Sequence, residues 1–227
     1  MHFHKLKPAH GWRDFLGEIG IIVIGVLIAL GAEQVVEAVR WREEVGSLRL
    51  ALDHELGRDL GVYAEEMAQR RCVDRNFVDL ERFYRDSATG RRDTFLRPIG
   101  RPAYFNSYFS VWDERGGNIT QHLPLDVRIK YSELYDEFRN NETVRLSERE
   151  VWRSLAQFDG VEPLDHGDRM RLRELLTRAE QLNASTTANY DYILKIARPL
   201  GVQSIRDSIG FHLPYMDDFC RPLLSPA

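Results

Sequence analysis

GEIGIIVIGVLIAL, residues Gly17 to Leu30, is the one lipid-grade segment of this 227-residue chain, and its reading decides the architecture. From Ile19 to Ala32 there is no charge and no strongly polar side chain. As a helix at ~1.5 Å per residue this run is about 21 Å long, short of the ~30 Å hydrocarbon core of a bilayer. The flanks lengthen it. Phe15 and Leu16 extend it on one side, Val35 and Val36 on the other. Glu18, Glu33 and Gln34 then fall near the two interfaces, where charge costs less than at mid-bilayer. On a helix, Trp12 and Trp41 stand roughly 43 Å apart, close to the ~40–45 Å of a bilayer with its headgroups. Tryptophans at that separation resemble the aromatic belts of a spanning helix.

Three structures fit the run: an uncleaved anchor, a cleaved signal peptide with Ala29-Leu30-Gly31 as its small-x-small site, and a buried core helix. Helical patterning that continues through Ala32, and the acidic Asp14 and Glu18 ahead of the run, favour the anchor. The expected organisation is a basic tail over 1–14, a transmembrane helix over 15–39, a helical bundle over 40–200, and a tail with short helical pieces over 201–227. Lys5, Lys7 and Arg13 on one flank balance Arg40, Arg42 and Arg49 on the other, so the positive-inside rule gives a tie. A short basic tail before a long domain ordinarily stays inside, which puts the domain outside the cytoplasm. Gly25, Ala29 and Ala32 share one face of the span, with Glu18 one heptad before Gly25. Small residues at this spacing let two membrane helices approach, so Glu18, Gly25, Ala29 and Ala32 form a candidate face for a homodimer. Small residues that simply tolerate lipid give the same pattern.

Beyond the anchor the periodicity is helical. Val45, Leu48, Leu52, Leu56, Leu60, Tyr63, Met67, Val73, Phe77, Leu80 and Tyr84 recur in steps of three and four, which predicts one long helix to about Asp86. Gly46, Gly57 and Gly61 interrupt it and share a face with Ala64 and Ala68, which predicts a kink or the close approach of a second helix. Thr89-Gly90, Pro98, Gly100 and Pro102 break the pattern. Tyr104, Phe105, Tyr108, Phe109 and Trp112 then fit a short helix, a core element or the lining of a pocket. Pro124 opens a second long helix, interrupted near Asn140-Asn141 and restarted at the capping-box pattern Ser147-x-x-Glu150. Asp165 or Asp168 caps a third, lined by Leu172, Leu175, Leu176, Ala179, Leu182, Thr186, Tyr190, Ile193 and Ala197 and stopped by Pro199 and Gly201. No alternating strand pattern is visible. The fold class expected is all-α: one N-terminal transmembrane helix continuing into an antiparallel bundle of about three main helices plus short ones, with a coiled-coil-like length to the first.

The search for chemistry returns little. Net charge is −4, with 31 basic and 35 acidic residues interspersed, which argues against nucleic acid. His54-Glu55 begins like a zinc-protease HExxH motif, but Arg58 stands where the second histidine belongs. His2, His4 and His10 lie in the basic tail. Asp165-His166-Gly167-Asp168 collects metal-ligand types, yet Asp at a helix start is ordinarily a cap. His122-Leu-Pro124 and His212-Leu-Pro214 repeat a tripeptide at helix entries. Glu43, Glu44, Glu65, Glu66, Asp136, Glu137, Glu148 and Glu150 read as solvated helix faces. Cys72 and Cys220 give no zinc or Cys-x-x-Cys spacing; two buried thiols, or a disulfide between them if the domain is extracytoplasmic, remain open. No catalytic, cofactor-binding or metal residue is expected.

Gly17, Glu18, Ile19, Gly25, Leu27, Ile28, Ala29 and Leu30, followed by Ala32-Glu-Gln34, resemble the N-terminus of an uncharacterised bacterial family of single-pass membrane proteins. That family often reads Gln-Ile-Asn-Asn-Trp after the apolar core, where this chain has Gly31-Ala-Glu-Gln-Val35. The resemblance is confined mainly to residues 17–45. It implies an anchor in the bacterial inner membrane and no site residues.

Three functional classes follow as expectations. The first is a non-enzymatic interaction or scaffold protein that self-associates or holds an unknown protein partner at the bilayer. The second is an extracytoplasmic ligand-sensing domain acting through a partner. The third is a membrane-tethered enzyme using scattered histidines and carboxylates.

Overall fold

The computed structural model describes residues 12–205 and 214–225. The expected basic tail falls almost wholly outside them, as do His2, His4, His10 and His212. The chain is all-α, with helices α1 (Trp12–Ala68), α2 (Arg70–Ala88), α3 (Ser110–Glu114), α4 (Leu125–Leu155), α5 (His166–Leu200) and α6 (Pro214–Phe219). Among the described residues, extended pairing is limited to a single antiparallel bridge between Phe95 and Leu224. The chain divides into two units between Leu48 and Arg49.

The first unit is the N-terminal stretch of α1. It is long and apolar enough to cross a membrane. Its apolar side chains point outward all round: Ile21 is 74% exposed, and Ile22, Val26, Leu27 and Ile28 are similarly open. At its far end Trp41 donates to Glu37 (3.2 Å), and Arg40 pairs with Glu44 (3.4 Å) while stacking on Trp41.

The second unit is built on three rods. Cross-helix pairs give their directions. Asp53 with Tyr131, Glu55 with Tyr135 and Glu66 with Arg145 rise together, so α1 and α4 run parallel. Glu133 with Tyr192 and Tyr63 with Tyr190 place α5 antiparallel to both. The core follows the predicted stripe. Leu52, Leu56, Leu60 and Tyr63 are buried on α1, Val73, Phe77, Leu80 and Phe83 on α2, and Leu134, Phe138, Val151, Trp152 and Leu155 on α4. Leu172, Leu176, Ala179, Ile193 and Ala197 answer from α5. Burying each large apolar side chain contributes roughly 1.5–3 kcal/mol.

Several local expectations change. The first rod breaks at Gln69 and not at a glycine; Gln69 turns inward, its Nε2 on Glu65 O and its Oε1 accepting from Ala103 N. Gly57 is approached by a loop and not by a helix: its carbonyl accepts from Ile205 N at 2.8 Å. α4 passes Asn141 without interruption, and Ser147 donates back to Thr143 O instead of capping a restart. Asp165 and Asp168 cap α5 together as a reciprocal box. Gly201 ends α5 at φ +80°, a conformation natural to glycine. Residues 103–109, where a short helix was expected, have no regular secondary structure, and the short helix α3 begins only at Ser110.

The C-terminal segment is not a detached tail. Phe219, Leu223 and Leu224 are buried in the same core as α2, α4 and α5. Cys72 and Cys220 are joined in a disulfide across 148 residues. Asp79 Oδ2 accepts from Leu223 N (2.8 Å), Arg97 donates to Phe219 O and Arg221 O, and Arg82 donates to Ser225 O.

Candidate functional site

Two parallel helices that follow one another need a return path, and residues 89–124 supply it. From Ala103 to Val111 this crossover runs back along α1, antiparallel to it. Its contacts step along α1 in order, from Ala103 at Gln69 to Val111 at Glu55. The matching stretch of α1, from Gln69 back to Glu55, covers about 21 Å at ~1.5 Å per residue.

The crossover has no strand beside it, so its amides are satisfied by side chains. Ala103 N donates to Gln69 (2.9 Å), Phe105 N to Glu66 (3.3 Å) and Ser107 N to Glu142 (3.4 Å). Tyr108 N donates to both oxygens of Asp59 (3.0 and 3.1 Å). Val111 N and the Ser110 hydroxyl both donate to Glu55 at 3.0 Å, and Tyr135 donates to its other oxygen at 2.8 Å. Arg145 closes the arrangement from α4. It donates to Glu66 (3.2 Å), Glu142 (2.6 Å) and the Phe105 carbonyl (2.6 Å). Only 2% of Arg145 is exposed. Its ring neighbours are Tyr63 and Tyr104, at 5.0 and 5.3 Å from the guanidinium carbon.

Burial sets the electrostatics. Desolvation pushes the Asp59 carboxyl up to about 8; the Tyr108 N–H opposes this and Glu55 adds to it. Desolvation likewise pushes Glu66 up to about 7, against the attraction of Arg145 and the Phe105 N–H. Burial alone would lower Arg145, but Glu66, Tyr63 and Glu142 outweigh it and hold the guanidinium firmly charged. Tyr63 Oη, Asn141 and Arg145 Nε are buried without a hydrogen-bond partner among the described residues.

Beside this network lies a small cleft of about 20 Å³. Its floor carries the pairs Arg145–Glu66 and Arg70–Glu148 (3.1 Å), and Arg101, Tyr104 and Arg149 also line it.

The residues singled out from the sequence are dispersed. Glu18, Gly25, Ala29 and Ala32 lie on the exposed stretch of α1, and nothing approaches a Cβ built on Gly25. His54, His122 and His166 are exposed. Asp165 and Asp168 serve as caps. Among the described residues no group of three or more His, Cys, Asp or Glu side chains is placed to hold a metal ion. Trp112 stacks on Tyr135 at 5.0 Å and is buried, so this aromatic belongs to the core.

Two glutamates read as solvated, Glu66 and Glu148, are buried and paired with arginines. A signal was present. Glu55, Asp59, Glu66 and Gln69 follow helical spacing, one residue off the apolar positions Leu52, Leu56 and Leu60. A polar stripe that close to a core stripe has to find internal partners.

No family model, no curated protein and no solved structure matches the chain.

Proposed function

We propose that the chain is a membrane-anchored helical scaffold, held in the bilayer by residues 15–39 and offering its bundle to a protein partner or a second copy. The exposed apolar surface of α1 between Ile19 and Leu30 carries this reading. Left in water, each such side chain forgoes roughly 1.5–3 kcal/mol. Lipid or another helix therefore covers them. The resemblance of residues 17–45 to a bacterial single-pass family supports an inner-membrane location. The Cys72–Cys220 disulfide supports a bundle on the extracytoplasmic, periplasmic side, since disulfides persist in oxidising compartments. Gly25, Ala29 and Ala32 supply the face on which two anchors would meet. A non-catalytic role agrees with the use of Glu55, Asp59, Glu66 and Glu142: these carboxylates hold main-chain amides and are not aimed at a substrate.

The test is fractionation followed by cross-linking of the full-length protein in its native membrane. The expected outcome is retention in the membrane through an alkaline carbonate wash, with cross-linked species above the monomer that Gly25→Leu diminishes. Release by carbonate would refute the anchor. A strictly monomeric protein without a partner in the membrane would refute the scaffold.

A further inference from the structure

The cleft beside Tyr104 holds more positive charge than its own ion pairs use. Glu66 and Glu148 on its floor are each matched by an arginine, the buried Arg145 and the half-buried Arg70. Arg101 and Arg149 also line it, and neither has a carboxylate partner among the described residues. Glu142, bonded to Arg145, to the Tyr104 hydroxyl (2.7 Å) and to Ser107 N, is not part of the lining. Even counting it, guanidiniums outnumber carboxylates, in a chain whose net charge is −4.

The arrangement is built and not casual. Arg149 stacks on the Tyr104 ring at 5.6 Å, and the same ring takes Arg145 at 5.3 Å. Arg101 enters from the crossover, between Gly100 and Pro102. Behind them Arg145 is 98% withdrawn from solvent, and its Nε has no hydrogen-bond partner. A space of about 20 Å³ admits one water-sized group and no whole metabolite. What fits inside is one oxygen of a terminal oxyanion, the rest of that group lying at the rim and the body of the ligand outside.

Guanidinium forks match the oxygens of phosphate and carboxylate in charge and in geometry. We propose that this cleft is a binding site for the terminal oxyanion, phosphate or carboxylate, of a small ligand, held by Arg101 and Arg149 at the rim with Arg145 behind them. This activity is separate from anchorage and does not depend on it.

The test is calorimetric titration of the full-length protein in detergent micelles at pH 7 and fixed ionic strength. Inorganic phosphate is one probe and succinate the other. Saturable binding of at least one probe is expected. Arg101→Ala or Arg149→Ala should weaken it tenfold or more with an unchanged far-ultraviolet circular dichroism spectrum, because neither side chain is buried. Arg171→Ala, an exposed arginine of α5 away from the cleft lining, should bind like the parent protein. Absence of saturable binding for both probes overturns the proposal. So does binding undiminished in both cleft variants, or weakened as much by Arg171→Ala.

Discussion

Arg145 of α4 and Glu66 of α1 meet 3.2 Å apart with almost no solvent contact, and both also hold the main chain of Phe105, one at its carbonyl and one at its amide. Helix–helix pairing and crossover docking are therefore one interaction. Removing the arginine alone strands a buried carboxylate, which typically costs 3–5 kcal/mol. Arg145→Met should lower the unfolding free energy by about that amount in urea titrations of the full-length protein. Adding Glu66→Gln should restore part of it, since a neutral amide still accepts the Phe105 N–H. A loss under about 1 kcal/mol in the single variant would contradict a stabilising pair.

The buried acids set a pH dependence with a defined sign. Asp59 and Glu66 titrate near 8 and 7 in the folded protein, above their ordinary values of about 4. Their contribution is complete below about pH 4 and is lost progressively as pH rises, until it is gone above the folded values of about 7 and 8. Asp59 feels Glu55 and Arg58 from its own helix, Arg145 from α4 and the Tyr108 amide from the crossover. Stability to heat should fall between about pH 5 and 8, by about 1.4 kcal/mol per unit for Asp59 alone through the middle of that window, and level off above pH 8. Asp59→Asn should flatten the decline between about pH 5 and 8. An unchanged slope in that variant would assign the effect elsewhere.

The Cys72–Cys220 bridge closes most of the second unit into a loop. In the chain-entropy treatment a loop of this length is worth roughly 5 kcal/mol, and native bridges commonly deliver 2–5. Cys72→Ser with Cys220→Ser should lower stability within that range. The fold should survive at low temperature, because Asp79, Arg82 and Arg97 still hold the C-terminal segment. A variant as stable as the parent would show that these contacts suffice without the bridge.

A Cβ placed on Gly57 would lie 2.6 Å from the Gln203 carbonyl and 3.0 Å from the Ile205 side chain. Gly57→Ala therefore exchanges a helix-propensity gain of about 1 kcal/mol for a backbone clash. The clash should dominate, with a net loss of about 1–3 kcal/mol by thermal or chemical unfolding. A stabilised variant would mean that the 203–205 loop moves aside freely.

The helices were legible because each pairs an apolar stripe with a recognisable end, as Asp165 and Gly201 do for α5. The crossover was not. Tyr104, Phe105, Tyr108 and Phe109 have spacings that suit a helix, and local periodicity carries no sign that Asp59 and Glu66 will capture their amides. Continuity through Asn141 and Ser147 was hidden for the same reason: tertiary burial overrides local stop and start signals. The arginine cleft unites Arg70, Arg101, Arg145 and Arg149 from three separate parts of the chain, a proximity that one-dimensional spacing does not express.

The amides of Ala103, Phe105, Tyr108 and Val111 are answered by Gln69 and by Glu66, Asp59 and Glu55 of α1, and that of Ser107 by Glu142 of α4, so α1 does most of the docking of the crossover. Held by side chains and not by a ladder of main-chain bonds, the amides of Ala103, Phe105 and Tyr108 should exchange with solvent before those of the helix that holds them, in a native-state hydrogen-exchange measurement.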